Sequence, residues 1–159
     1  MKLSEIHMVD PDIFKVHLRQ KTFVCKKSYF CTMINKVHHI AIICTDYAVS
    51  KAFYTEVLGF TIVREVYRAE RQSYKLDLAV NGVYMIELFS FPAPPERPSR
   101  PEAAGLRHLA FEVDDIKEVI AMLNGKGIVA EPVRIDEFTG KRFTFIADPD
   151  QLPIEFYEK

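Results

Sequence analysis

Apolar and polar residues along this chain follow two different periods, and the switches between them mark out the elements. Residues 37–44 are β-branched and apolar on both faces, the pattern of a buried strand. Asp46 stands where a helix N-cap belongs. Val49, Ala52, Phe53 and Val57 follow at helical spacing, and Gly59 suits the stop. Strand-type runs occupy 61–67 and 74–80, Asn81-Gly82 predicts a two-residue hairpin turn, and 83–91 completes the hairpin. The first half therefore reads β-α-β-β-β. Between 91 and 105 lie Pro92, Pro94, Pro95, Pro98 and Pro101, which exclude a helix interior or central strand and predict an extended, stiff connector. The same order then resumes. A strand at 106–113 precedes a helix capped by Asp115, bearing Ile116, Val119, Ile120 and Leu123 and stopped by Asn124-Gly125 or Gly127. Strands at 129–135 and 143–147, a turn at Asp148-Pro149-Asp150 and a last strand at 153–157 complete the second half.

The two halves also share residues in register. His39 opens His39-Ile40-Ala41-Ile42, with Asp46 seven positions on; His108 opens His108-Leu109-Ala110-Phe111, with Asp115 seven positions on. Glu87, in Ile86-Glu87-Leu88, lies 48 residues past the first histidine, and Glu155, in Ile154-Glu155-Phe156, lies 47 past the second. The chain reads as a duplicated module of α+β class. Residues 1–35 form an N-terminal extension of unknown role, 36–91 the first module, 92–105 the linker and 106–159 the second module.

Composition narrows the setting. With 159 residues, 48% hydrophobic and 27% charged, the chain has the make-up of a globular domain or two fused half-domains. A net charge of −1 gives no electrostatic footprint for nucleic acid, and no apolar run approaches the length of a membrane-spanning helix. Cys25, Cys31 and Cys44 match neither a zinc-ribbon nor a disulfide framework, which points to a reducing, cytoplasmic setting. Residues 1–32 fall outside the repeat and lack the apolar core of a signal peptide, and Glu5, Asp10 and Asp12 argue against a transit peptide. Met33 is the expected start of the functional domain, with a short added helix or hairpin as the alternative reading of what precedes it.

The repeated residues carry chemistry. Side chains alternate across a strand, so His39 shares a face with Ala41 and Ile43 while His38 is expected on the other. In the second copy Arg107 takes the place of His38, which singles out His39 and His108. Glu87 and Glu155 interrupt otherwise apolar or aromatic strands, where an ionised carboxylate is costly unless a cation meets it. One such residue is usually an ordinary hydrogen-bonded side chain. Four at matched positions point to one divalent metal held by His39, Glu87, His108 and Glu155.

The paired modules, the histidine opening each first strand, the glutamate in each last strand and the Asp148-Pro149-Asp150 turn resemble the vicinal-oxygen-chelate superfamily over residues 36–159. Within it the four ligands are most similar to those of glyoxalase I. The resemblance implies that the modules curl into a half-open mixed barrel around one divalent metal, nickel or cobalt by analogy with short bacterial members, with zinc, manganese or iron compatible. It implies isomerisation of a 2-oxoaldehyde–thiol hemithioacetal to a 2-hydroxyacyl thioester through an enediolate. Glu155 is then the first choice as proton-shuttling base and Glu87 the second. It also implies a small-molecule substrate and a homodimer. Some members close the site within one chain, and glyoxalase I closes it between module one of one chain and module two of another.

Three departures leave the thiol unassigned. Ile43 stands where glyoxalase I usually has a thiol-binding Arg, Phe91 where it tends to have Asn, and Gln151 where Gly is usual after Asp-Pro-Asp. Arg64, Arg68, Arg71, Lys141 and Arg142 are alternative candidates for gripping an anion, and Tyr67 and Tyr74 fit core or pocket equally. Two other functions fit the same fold: an Fe(II) extradiol-type dioxygenase using His39, His108 and Glu155, and a metal-free small-molecule-binding resistance protein. The first leaves Glu87 without a role, and the second usually lacks the ligands.

Overall fold

The computed structural model describes residues 13–18, 21–26 and 33–159. Glu5, Asp10, Asp12 and Cys31 lie outside the described residues. The chain divides into a unit of residues 1–37 and a unit of residues 38–159. In the first, β1 (Ile13–Leu18) and β2 (Lys21–Lys26) form an antiparallel hairpin, Ile13 opposite Lys26.

The second unit contains two four-stranded sheets of the same design. In module one, β3 (Ile40–Cys44), helix α1 (Tyr47–Ala52), β4 (Thr61–Arg68), β5 (Ser73–Val80) and β6 (Val83–Ser90) give the order β3-β6-β5-β4. In module two, β7 (Leu109–Val113), helix α2 (Ile116–Gly125), β8 (Arg134–Ile135), β9 (Arg142–Ala147) and β10 (Pro153–Glu158) give β7-β10-β9-β8. In each sheet the first strand lies parallel to the last and the other pairings are antiparallel. This is the α+β architecture expected from the repeat.

The local signals explain most element ends. The Asp46 carboxylate accepts the Val49 N–H at 3.1 Å and caps α1, and Asp115 accepts the Lys117 N–H at 2.8 Å and caps α2. Asn81 and Gly82 take φ of 48° and 77°, as a tight hairpin requires. Several boundaries differ from expectation. The helix expected to run to Gly59 widens into a π-helical turn, Phe53–Val57, in which Leu58 N–H reaches the Phe53 carbonyl at 3.0 Å. The strand expected over 129–135 is reduced to Arg134–Ile135, because Pro132 has no N–H to give the ladder. The first strand of each module begins late, at Ile40 rather than Val37 and at Leu109 rather than Leu106, so strand alternation governs neither His38 and His39 nor His108.

One face of each sheet builds the core. Ile42, Cys44, Leu76, Leu78, Ile86 and Leu88 from sheet one join Leu109, Ile146, Ile154 and Phe156 from sheet two in a single buried cluster that includes Phe53, Tyr54, Ile116 and Leu123. The other face of each sheet carries the repeated histidines and glutamates. The modules are tied by the Asp148-Pro149-Asp150 turn. Buried Asp148 accepts the Tyr54 hydroxyl at 2.7 Å, and Asp150 accepts the Thr45 N–H at 3.1 Å and the Ser50 hydroxyl at 3.3 Å.

Within module two, Arg142 donates through Nε to Glu158 at 2.7 Å, and Glu158 also accepts the Ile116 N–H at 3.1 Å, which fastens the start of α2 to β10. The Arg142 hydrogen bonds, then that of Ile116, hold the Glu158 carboxyl below its ordinary value of 4.5. A depressed carboxylate adds stability that is present above its unfolded value and is lost as pH falls through the folded one. Glu158→Gln should therefore lower stability at neutral pH and narrow its gap to the parent as the solution is acidified below about pH 4.5. Urea denaturation across that range measures this, and a gap independent of pH would contradict it.

Candidate functional site

The two parallel strand pairs place their histidines and glutamates identically. Ala41 lies opposite Glu87 in one and Ala110 opposite Glu155 in the other. His39 and His108 each stand one residue before their strand begins and two before that alanine. Their tips meet the glutamates. His39 Nε2 lies 3.4 Å from Glu87 Oε2, and His108 Nε2 lies 3.0 Å from Glu155 Oε2. Both glutamate side chains are 12% exposed, whereas those of His39 and His108 are 38% and 28% exposed, so each pair is open to solvent from the histidine side.

The four expected ligands therefore come together as two pairs. Among the described residues no group of three or more His, Cys, Asp and Glu side chains converges as a metal site would require. Each pair offers an imidazole nitrogen and a carboxylate oxygen, donors that suit a first-row divalent cation.

The pairs differ in their surroundings. Glu87 receives Lys75 Nζ at 2.5 Å and the Tyr84 hydroxyl. Lys75 also meets Asp77 at 2.7 Å, and Asp77 is held by Arg64 at 2.7 Å. Burial alone would raise the Glu87 pKa, but the bonds from Lys75 and Tyr84 outweigh it and hold the carboxyl below its ordinary range. Burial likewise opposes the charge on Lys75, and Asp77 and Glu87 overcome it, so its pKa lies above the ordinary value. The cation that sequence reasoning sought for Glu87 is thus supplied in part by Lys75. Among the described residues, His108 is the one basic side chain in contact with Glu155. Across the ladder from Glu155 stands Phe145, where sheet one has Asp77 opposite Glu87.

Lys75, Asp77 and Tyr84 were missed in the sequence. Counting back from the Asn81-Gly82 turn puts Asp77 opposite Ile86, on the core side. A β-bulge between Leu78 and Ala79 shifts the register by one and brings Asp77 opposite Glu87. His38 is also nearer than expected, its Nδ1 lying 2.8 Å from that of His39. Of the candidate anion-binding residues, Arg64 is engaged by Asp77 and Arg142 by Glu158, and Lys141 donates to the Lys159 carbonyl. Arg68 lies over the Phe89 ring at 4.8 Å and donates to Ser73. Tyr74 stacks on Tyr47 at 4.2 Å and lies 4.8 Å from Tyr67, at the edge of sheet one.

Residues 36–156 match the Glyoxalase/Bleomycin resistance protein/Dioxygenase superfamily. The chain is 64% identical over 126 residues to YaeR of Escherichia coli (strain K12), covering 79% of this chain and 98% of that protein. It is 62% identical over 127 residues to YwkD of Bacillus subtilis (strain 168), covering 80% and 99%. A 2-epi-5-epi-valiolone epimerase from Actinomyces sp is 28% identical over 141 residues, covering 75% and 76%. Among solved structures, a glyoxalase family protein from Enterococcus faecalis is 50% identical with a TM-score of 0.74, covering 79% of this chain and 99% of that one. The trypanothione-dependent glyoxalase I of Leishmania major is 26% identical with a TM-score of 0.59, covering 79% and 87%. The fosfomycin resistance protein FosX of Listeria monocytogenes, solved with Mn(II), shares the fold at 19% identity and a TM-score of 0.61, covering 79% and 93%. Among the described residues no helix is long and apolar enough to cross a membrane.

Proposed function

The chain belongs to the glyoxalase/bleomycin resistance protein/dioxygenase superfamily, and from that premise we propose that it is a divalent-metal-dependent enzyme of glyoxalase I type. The reaction is isomerisation of the hemithioacetal of a 2-oxoaldehyde and a thiol into a 2-hydroxyacyl thioester. The observation that carries this reading is the matched pair of His–Glu contacts, at 3.4 and 3.0 Å, in equivalent registers of two sheets. His39, Glu87, His108 and Glu155 are the metal ligands. A homodimer completes the set, joining the first pair of one chain to the second pair of another. A resident divalent ion would act there as a Lewis acid toward a substrate carbonyl.

The protein groups divide the remaining work. Glu155 is the group that takes a proton from one carbon and returns it to the next, because among the described residues His108 is its one charged or hydrogen-bonding side-chain neighbour. Glu87 is less free to accept a proton, since Lys75 and Tyr84 already donate to it. His39 and His108 present Nε2 beside their glutamates as the nitrogen ligands. The relative bearing an epimerase name favours a rearrangement at carbon over dioxygen chemistry on this scaffold.

Elemental analysis of unchelated protein should find about one divalent metal per His–Glu quartet. Methylglyoxal offered with a panel of thiols should give thioester absorbance with at least one of them, and Glu155→Gln should lower that rate by about 100-fold or more while metal is retained. Absence of metal ends the metal reading. Metal without thioester formation from any thiol moves the chemistry to another reaction.

A further inference from the structure

Beside His108 and Glu155 opens a cleft of about 1090 Å³, whose walls include Arg100, Arg107, Arg134, Phe143 and Phe145. That volume suits a small organic molecule. We propose that this cleft binds a molecule carrying its own anionic group, a carboxylate or phosphate, on an aromatic or otherwise apolar body. The assignment deepens the metal-enzyme reading above and rests on it only for the chemistry done there.

The floor is apolar and fixed. Phe145 lies opposite Glu155 in the ladder, edge-on to His108 at 5.4 Å, and Phe143 lies edge-on to Phe145 at 6.0 Å. The Arg134 guanidinium covers both rings at 4.9 and 5.0 Å and is oriented by Glu131 at 3.1 Å. A body packed against the rings and the Arg134 guanidinium over them has the His108–Glu155 pair within the same cleft.

The opposite wall is the proline-rich linker, and it is braced. Arg97 donates to Ser99 Oγ at 2.9 Å and to the Leu106 carbonyl, and Ser99 Oγ donates to the Gln151 carbonyl at 2.8 Å. The brace uses Arg97 and presents two other arginines. Arg107 reaches only Glu102, at 3.8 Å and with both side chains exposed, and Arg100 meets no carboxylate among the described residues. A guanidinium so placed keeps its forked donors for a carboxylate or phosphate. The cations beside the first His–Glu pair are already neutralised, Arg64 by Asp77 and Lys75 by Asp77 and Glu87. Spare positive charge therefore lies beside the second His–Glu pair.

Calorimetric titration of the full chain as purified, at physiological salt, uses three probes: phenyl phosphate, benzoate and benzyl alcohol. The two anions should bind and the alcohol should not. The double variant Arg100→Ala/Arg107→Ala should weaken anion binding at least about 10-fold, and Arg100→Lys/Arg107→Lys should recover part of it. The tighter of the two anions identifies the group preferred, and either preference supports the proposal. No anion binding, equal binding of the alcohol, or unchanged affinity in the double alanine variant overturns it. Metal content measured on the same samples judges the metal reading separately: arginine-dependent anion binding in a protein without metal sinks that reading and leaves this one standing.

Discussion

Mixing protomers that carry His39→Ala with protomers that carry His108→Ala should restore metal binding that neither variant shows alone. Each variant by itself loses one of four ligands at every site, and its affinity should fall more than about 100-fold, beyond what disturbing a ligand's support costs. The structure brings His39 to Glu87 and His108 to Glu155 without gathering three such groups in one place. If module one of one copy meets module two of another about a two-fold axis, a mixed dimer contains one site lacking both histidines and one intact site. Random reassortment then recovers about a quarter of the parent's metal. A site closed within a single chain would recover nothing on mixing, so the stoichiometry after reassociation decides between the two. His38→Ala provides the control. Its ring touches His39, 2.8 Å away, while Glu87 is met by His39, so the variant should keep its metal with weakened affinity. Loss as complete as that of His39→Ala would reassign the ligand.

Replacing Asp148 with alanine should destabilise the protein by about 3 kcal/mol or more, the largest single loss expected outside the histidine–glutamate pairs. Asp148 is 2% exposed and accepts the Tyr54 hydroxyl at 2.7 Å, the Leu152 N–H at 2.7 Å and the Asp150 N–H at 2.9 Å. Alanine leaves those donors without that acceptor beneath fully buried Tyr54, at about 1–3 kcal/mol for each buried donor left unsatisfied. The same turn fixes Asp150 against Thr45 and Ser50, so the loss also loosens the contact between modules. A fall in melting temperature of about 10 °C is the corresponding shift.

Asp148→Asn separates shape from charge. Burial raises the Asp148 pKa above its ordinary 3.8, partly opposed by the bonds from Tyr54, Leu152 and Asp150. A raised carboxyl contributes stability that is present below the unfolded value and lost as pH rises through the folded one. The asparagine variant has no such loss, so its deficit relative to the parent should shrink as pH rises from about 4 toward neutrality. Denaturant midpoints at several pH values test this, and a deficit that grows with pH would show that the carboxylate form is the better fit.

Much of this was legible in the chain because it is carried by local rules. Strand and helix periods, the Asp46 and Asp115 caps and the Asn81-Gly82 turn act within a few residues, and the structure places elements where they predict them. The repeat of His39 with Glu87 and His108 with Glu155 was visible because duplication preserves spacing, and parallel pairing of first and last strands turns equal spacing into equal register. The π-helical turn at Phe53–Val57 and the shortened β8 were less legible, since both depend on which backbone groups find partners.

Sequence alone was enough for the doubled β-α-β-β-β plan and for assigning one histidine and one glutamate to each half, because those follow from period and spacing. Three-dimensional packing decided which charges surround each pair. A one-residue bulge moves Asp77 from the core side to the Glu87 side and brings Lys75 with it, whereas unbroken pairing in β9 sets Phe145 beside Glu155. A register shift of one residue exchanges the faces of a strand, and no local pattern around Asp77 announces it.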